Sequence, residues 1–178
     1  MVFGLDGDWN AVSETVTLNG TDAVTLTGHD YIRLYRAFVL TAGSGGNNAG
    51  ILTVSGGGNV GAHIAIAEGQ TQQAIYTIPN GKTGYFIKGY VGIADDDKSG
   101  ESMEFHWVMR PNPLADGAWQ IKGQIALGTL SSSWWQYEYG LPAGPIPAKT
   151  DIRITIPDAS SAMGCVGGFD LLLVDDGY

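Results

Sequence analysis

A length of 178 residues, 44% of them apolar and 27 of them glycine, fits one large globular domain or two very small ones and argues against a chain too polar to fold. Its 9 basic and 18 acidic residues give a formal net charge of −9. The basic residues are scattered, with no two adjacent, which excludes the clustered cations that a nucleic-acid backbone demands.

The opening segment, from Val2 to Trp9, reads as a plain first strand or, within residues 1–12, as an arm that docks on a neighbouring subunit. It lacks the basic start and apolar run of a signal peptide. From there alternation with a period of two dominates, the mark of strands that bury one face. Stretches 14–18 and 23–27 flank Asn19-Gly20, a pair suited to a two-residue hairpin with positive φ values. Further strands are expected over 31–40, 50–55, 63–67, 73–78 and 83–93. Pro79-Asn80-Gly81 supplies turn chemistry between the last two. Loops are expected at 41–49, 56–58, 94–100, 111–117 and 141–147.

In the second half Met103, Phe105, Trp107 and Met109 alternate with Glu104, His106 and Arg110, and the first set is expected to face the core. Trp119, Ile121, Ile125 and Leu127 alternate with Gln120, Lys122 and Gln124, and Ile152, Ile154 and Ile156 with Asp151, Arg153 and Thr155. Strands at 133–139 and 166–173 complete about a dozen. Pro142, Pro145 and Pro147 cannot donate ladder bonds, so that segment is an extended connection or a sheet edge. No stretch has helical periodicity, and none is apolar for long enough to cross a bilayer as a helix. The expected fold is all-β: one antiparallel β-sandwich over 1–178, jelly-roll-like.

Chemistry-bearing motifs are sparse. The glycine runs at 43–46 and 56–58 lack the Lys-Ser or Lys-Thr and the helix of a phosphate loop. Asp6-Gly7-Asp8 and Asp95, Asp96 and Asp97 offer oxygen ligands for calcium, without EF-hand spacing, so solvated loops are the plainer reading. His29, His63 and His106 are far apart and the lone Cys165 sits among small apolar neighbours, as a buried inert thiol would; neither points to a zinc site. There is no nucleophile elbow, and the glutamates cannot be paired from sequence. The expectation is a protein that is not an enzyme and needs no cofactor or metal. The aromatic set Trp134, Trp135, Tyr137 and Tyr139 is the candidate site. Trp135, Tyr137 and Tyr139 share one strand face, Trp134 takes the other, and the rings suit a core, a subunit interface or the stacking of sugar rings.

The stretches 36–46 (RAFVLTAGSGG), 74–85 (AIYTIPNGKTGY) and 168–175 (GFDLLLVD) resemble small β-rich structural proteins of tailed-phage virions, marine ones in particular. The resemblance spans roughly residues 12–175 and rests on turn-and-strand patterns. It implies a head decoration or knob protein, or a part of a tail or fibre, made in the host cytoplasm and carried in the virion. Such proteins are typically sandwiches or jelly rolls, often homotrimeric, and their partners are the major capsid protein or other virion components, with no membrane or nucleic acid involved. A carbohydrate- or receptor-binding module of a tail is the alternative within the same resemblance.

Overall fold

The period-two alternation becomes β-structure throughout: the computed structural model describes residues 1–56, 59–94, 100–111, 117–129, 133–160 and 163–177, and every regular element among them is a strand. All strand pairs are antiparallel. Internal packing divides the chain into two compact units, Met1–Gln73 and Ala74–Tyr178.

In the first unit β1 (Val2–Asp6), β2 (Ala11–Glu14) and β3 (Tyr31–Ala37) form a sheet in the order β2-β1-β3, and β4 (Leu52–Gly56) pairs with β5 (Asn59–Ile64) as a hairpin. The segment read as a first strand or an arm is thus the central strand of a sheet, tied at its start by the Met1 ammonium donating to the Phe38 carbonyl at 2.9 Å. Val2, Ala37, Ala62 and Ile64 form its core, with Leu34, Leu52 and Val54 packed around them. Gly61 permits this, because a Cβ there would stand 2.6 Å from Leu34 Cδ1. Asp6 builds the turn after β1. Its Oδ1 accepts from the backbone N–H groups of Asp8 and Asn10 at 3.0 and 2.9 Å, and these bonds, that of Asn10 foremost, hold its carboxyl below the usual aspartate range. Asp6 therefore serves the turn.

Two expectations fail in this unit. Stretches 15–18 and 23–27 are not strands; only the isolated bridge Asn19↔Asp22 forms at the Asn19-Gly20 tip, with Gly20 at φ 60°. Alternating Thr and Val fit a pleated surface, but almost all of these residues are exposed, and a lone two-stranded ribbon is marginal in water. What holds the segment is Glu14, whose carboxylate accepts from the N–H groups of Thr27 and Gly28 at 3.0 and 3.1 Å.

The second unit contains β6 (Ile75–Thr77), β7 (Lys82–Ile93), β8 (Ser102–Arg110), β9 (Gln120–Gly128), β10 (Trp134–Ile146), β11 (Asp151–Ala159) and β12 (Cys165–Asp175). They form two sheets, ordered β6-β11-β8-β9 and β10-β7-β12. Both sheets feed the same apolar clusters, so they pack face to face like a sandwich. One cluster joins Val91 and Ile93 of β7 to Met103 and Phe105 of β8 and Leu127 of β9. The other joins Phe86 and Ile146 to Ile78 and Ile152, with Met109 and Leu171 against it. The inward set on β8 is as expected: Met103 and Phe105 are buried, and Trp107 and Met109 pack on the clusters.

Pro79-Asn80-Gly81 does turn, with Gly81 at φ 71°, yet it joins strands of different sheets rather than a hairpin. The β9 alternation also breaks. Trp107 pairs with Gly123 but Val108 pairs with Ile121, so Lys122 is an extra residue, a β-bulge. Beyond it Ile121 is exposed and Trp119 lies beneath the guanidinium groups of Arg153 and Arg110, at 3.9 and 4.8 Å from the ring centre. Arg110 in turn donates twice to the Oδ2 of buried Asp151, at 2.7 and 3.2 Å, while Thr77 Oγ1 donates to its Oδ1 at 2.7 Å. A second bulge, at Ile156 and Pro157 opposite Phe105, turns Ile156 outward. Cys165, expected to be buried, is exposed at the start of β12, where partial desolvation pushes its thiol pKa up.

Candidate aromatic cleft

The site is an aromatic cleft of about 500 Å³ between the two sheets of the second unit, within the usual range for ligand pockets. Glycines at inward-facing positions create it. Gly89 on β7 and Gly123 on β9 both line it, and neither fills the roughly 10 Å between stacked sheets. Trp107 occupies part of that space: a Cβ on Gly89 would stand 3.2 Å from its Nε1.

Bulges fix which side chains reach the cleft. In β7 the register slips around Ile87, so Phe86 and Gly89, three residues apart, both line the cleft. In β10 the stretch 139–142 leaves the ladder between Glu138↔Lys88 and Ala143↔Phe86. Leu141 is carried out to 84% exposure. The proline-rich segment is therefore a bulged sheet edge, as its missing donors require, and Pro145 and Pro147 close one end of the cleft.

Three of the four aromatic residues singled out from the sequence meet here. Trp135, Tyr137 and Tyr139 line the cleft together with Trp107. Successive ring centres are 5.0 Å apart for Trp107 and Trp135, 6.1 Å for Trp135 and Tyr137, and 4.7 Å for Tyr137 and Tyr139. Trp135 and Tyr137 are near-parallel, with 12° between their planes. Tyr137 is 49% and Tyr139 38% exposed, so the row runs from the core out to solvent. Trp134 points to the opposite face, where it stacks on Tyr90 at 5.6 Å over the space left by Gly92.

The polar groups on the cleft are few. Lys122 comes from β9, where Gln124, paired with His106, borders the cleft from the face away from Trp107. Thr150, 1% exposed, contributes an Oγ1 without a hydrogen-bond partner among the described residues. Sequence reading missed Trp107, Gly89 and Gly123 as site residues. Trp107 reads as core because it alternates with Phe105, and only the pairing of β8 with β9 reveals glycine beside it.

None of the other described candidates is among the residues that line this cleft. Among the described residues no group of three His, Cys, Asp or Glu side chains is placed to hold a metal; Asp95, Asp96 and Asp97 lie outside the described residues. His106 Nε2 lies 2.8 Å from Glu104 Oε1 on the strand's other face. No helix among the described residues is long and apolar enough to span a membrane. No protein-family model, curated protein or solved structure matches the chain.

Proposed function

We propose that the chain is a saccharide-binding module of a virion, a tail or fibre component whose aromatic cleft holds sugar rings without chemical change. One observation carries this reading: Trp107, Trp135, Tyr137 and Tyr139 form a continuous row of rings from core to solvent along one cleft. The C–H face of a pyranose is apolar and flat enough to lie on an indole or phenol ring, while its hydroxyls need polar groups at the edge. Lys122 and the tyrosine hydroxyls supply those. The row is pre-organised, since aromatic side chains have few rotamers to lose on binding.

The phage context comes from the resemblance of the three turn-and-strand stretches, and the fold is compatible with it. The strand orders β6-β11-β8-β9 and β10-β7-β12 support a jelly-roll reading, an eight-stranded double Greek key with its first strand left out.

The test is a glycan array probed with the full chain and with Trp135→Ala. Binding that weakens at least about tenfold in the variant, a loss of about 1.4 kcal/mol, supports the module. A blank array with folded protein sinks it.

A second reading is a head decoration protein, clamped on the major capsid protein as a homotrimer. It is favoured by Leu18, Leu40, Ile51 and Ile66 of the first unit, each more than half exposed, which a partner surface would cover. Immunogold labelling of phage particles separates the two: gold over heads supports decoration, gold at tails the saccharide module. Particles that carry accessible epitopes elsewhere but no gold count against both.

A further inference from the structure

The β9 bulge sets a cation on the saccharide cleft. From Ser102↔Gly128 to Trp107↔Gly123 the β8–β9 ladder is one-to-one, and then Val108 takes Ile121 as its partner. Lys122 is left over. A bulged residue leaves the ladder and its side chain is re-aimed, and Lys122 is among the residues that line the cleft. Its Nζ donates to Gln120 Oε1 at 2.7 Å, which uses one of three N–H groups. The chain carries twice as many acidic as basic residues. Yet the described residues on this cleft include Lys122 as their one charged side chain, with no carboxylate among them. The local sign is thus opposite to that of the whole molecule.

Resting on the saccharide reading of the same cleft, we infer that its ligand is an acidic saccharide, a uronic or sialic acid unit. The ring lies on the near-parallel Trp135 and Tyr137, and its carboxylate pairs with Lys122 Nζ. An amino sugar would bring like charge to the one cation among the described residues there. Because Lys122 is exposed, the pair is solvent-screened and selects among ligands more than it tightens binding.

The experiment uses an array of matched glycans: oligogalacturonides beside their methyl esters, and sialylated chains beside their asialo forms, at 50 mM and 500 mM salt. The expected result is about fivefold tighter binding of the acidic member, equal to about 1 kcal/mol, shrinking at high salt as the Debye length falls. Lys122→Gln should bring the acidic member down to its neutral counterpart, whereas Trp135→Ala should weaken both. Equal binding of the acidic and neutral members by the unmodified chain overturns the acidic preference and leaves the saccharide reading standing. Binding of neither overturns the saccharide reading itself.

Discussion

Phe105 and Trp107 stand two residues apart on the inner face of β8, and truncating each to alanine separates core from cleft. Phe105 is 1% exposed in the cluster with Val91, Ile93, Met103 and Leu127. Its removal leaves a closed hole. At about 24 cal/mol per Å³, a cavity of about 100 Å³ costs about 2.4 kcal/mol beyond the lost transfer energy. With roughly 2 kcal/mol for that transfer term, Phe105→Ala should cost about 4 kcal/mol. Trp107 packs on the same cluster, but its ring also lines the open cleft. The space it vacates joins an existing void, so the closed-cavity penalty largely drops out and about 2–3 kcal/mol of transfer energy remains. Urea unfolding followed by circular dichroism reads both values, provided the slope is unchanged between variants. Trp107→Ala costing as much as Phe105→Ala would refute the cleft, since it would mean the indole is enclosed. A cost below about 1 kcal/mol would place it outside the core altogether.

Other perturbations follow from single contacts. Gly4→Ala should destabilise the first unit by roughly 2–4 kcal/mol, because its Cβ would stand 2.0 Å from the Arg33 carbonyl oxygen, which is backbone and cannot swing aside; thermal melting checks this. Asp151→Ala should cost about 2–4 kcal/mol by stranding the Arg110 guanidinium and the Thr77 hydroxyl, and chemical denaturation measures it. Asp6 has a folded pKa below its ordinary 3.8, so the folded state binds fewer protons there. Its contribution is present above pH 3.8 and is lost as pH falls through the lower folded value. A pH series of melting temperatures should show that acid-side loss, and Asp6→Asn should remove it.

The strands of the second unit were largely legible in the sequence, because each buries one face and alternation is then enforced by the core. Met103 and Phe105 on β8 and Ile152 on β11 show it. What alternation cannot carry is a bulge. The extra Lys122 reverses the facing of Ile121, and the extra residue beside Pro157 sends Ile156 out. Nothing in the one-dimensional pattern of Ile121, Ile125 and Leu127 distinguishes the residue beyond the bulge from those before it. The segment 14–27 misled for a different reason: its Thr and Val residues have strand propensity, but a strand also needs a partner and a buried face. The aromatic row was half visible. Parity alone puts Trp135, Tyr137 and Tyr139 on one face and Trp134 on the other. That this face opens on a cleft depends on Gly89 and Gly123, which are brought opposite Trp107 only by sheet packing and pairing.

Sugar rings laid on the Trp135–Tyr137 surface would bring their C–H protons against the indole and phenol rings. Saturation-transfer difference NMR on the full chain, with a saccharide selected from the array, tests this contact most directly. Ring C–H protons of the sugar should receive the strongest transfer, and Trp135→Ala and Tyr137→Ala should each reduce it sharply in folded protein. Transfer that persists undiminished in both variants, or its absence in the unmodified chain, would show that sugar rings do not lie on this surface.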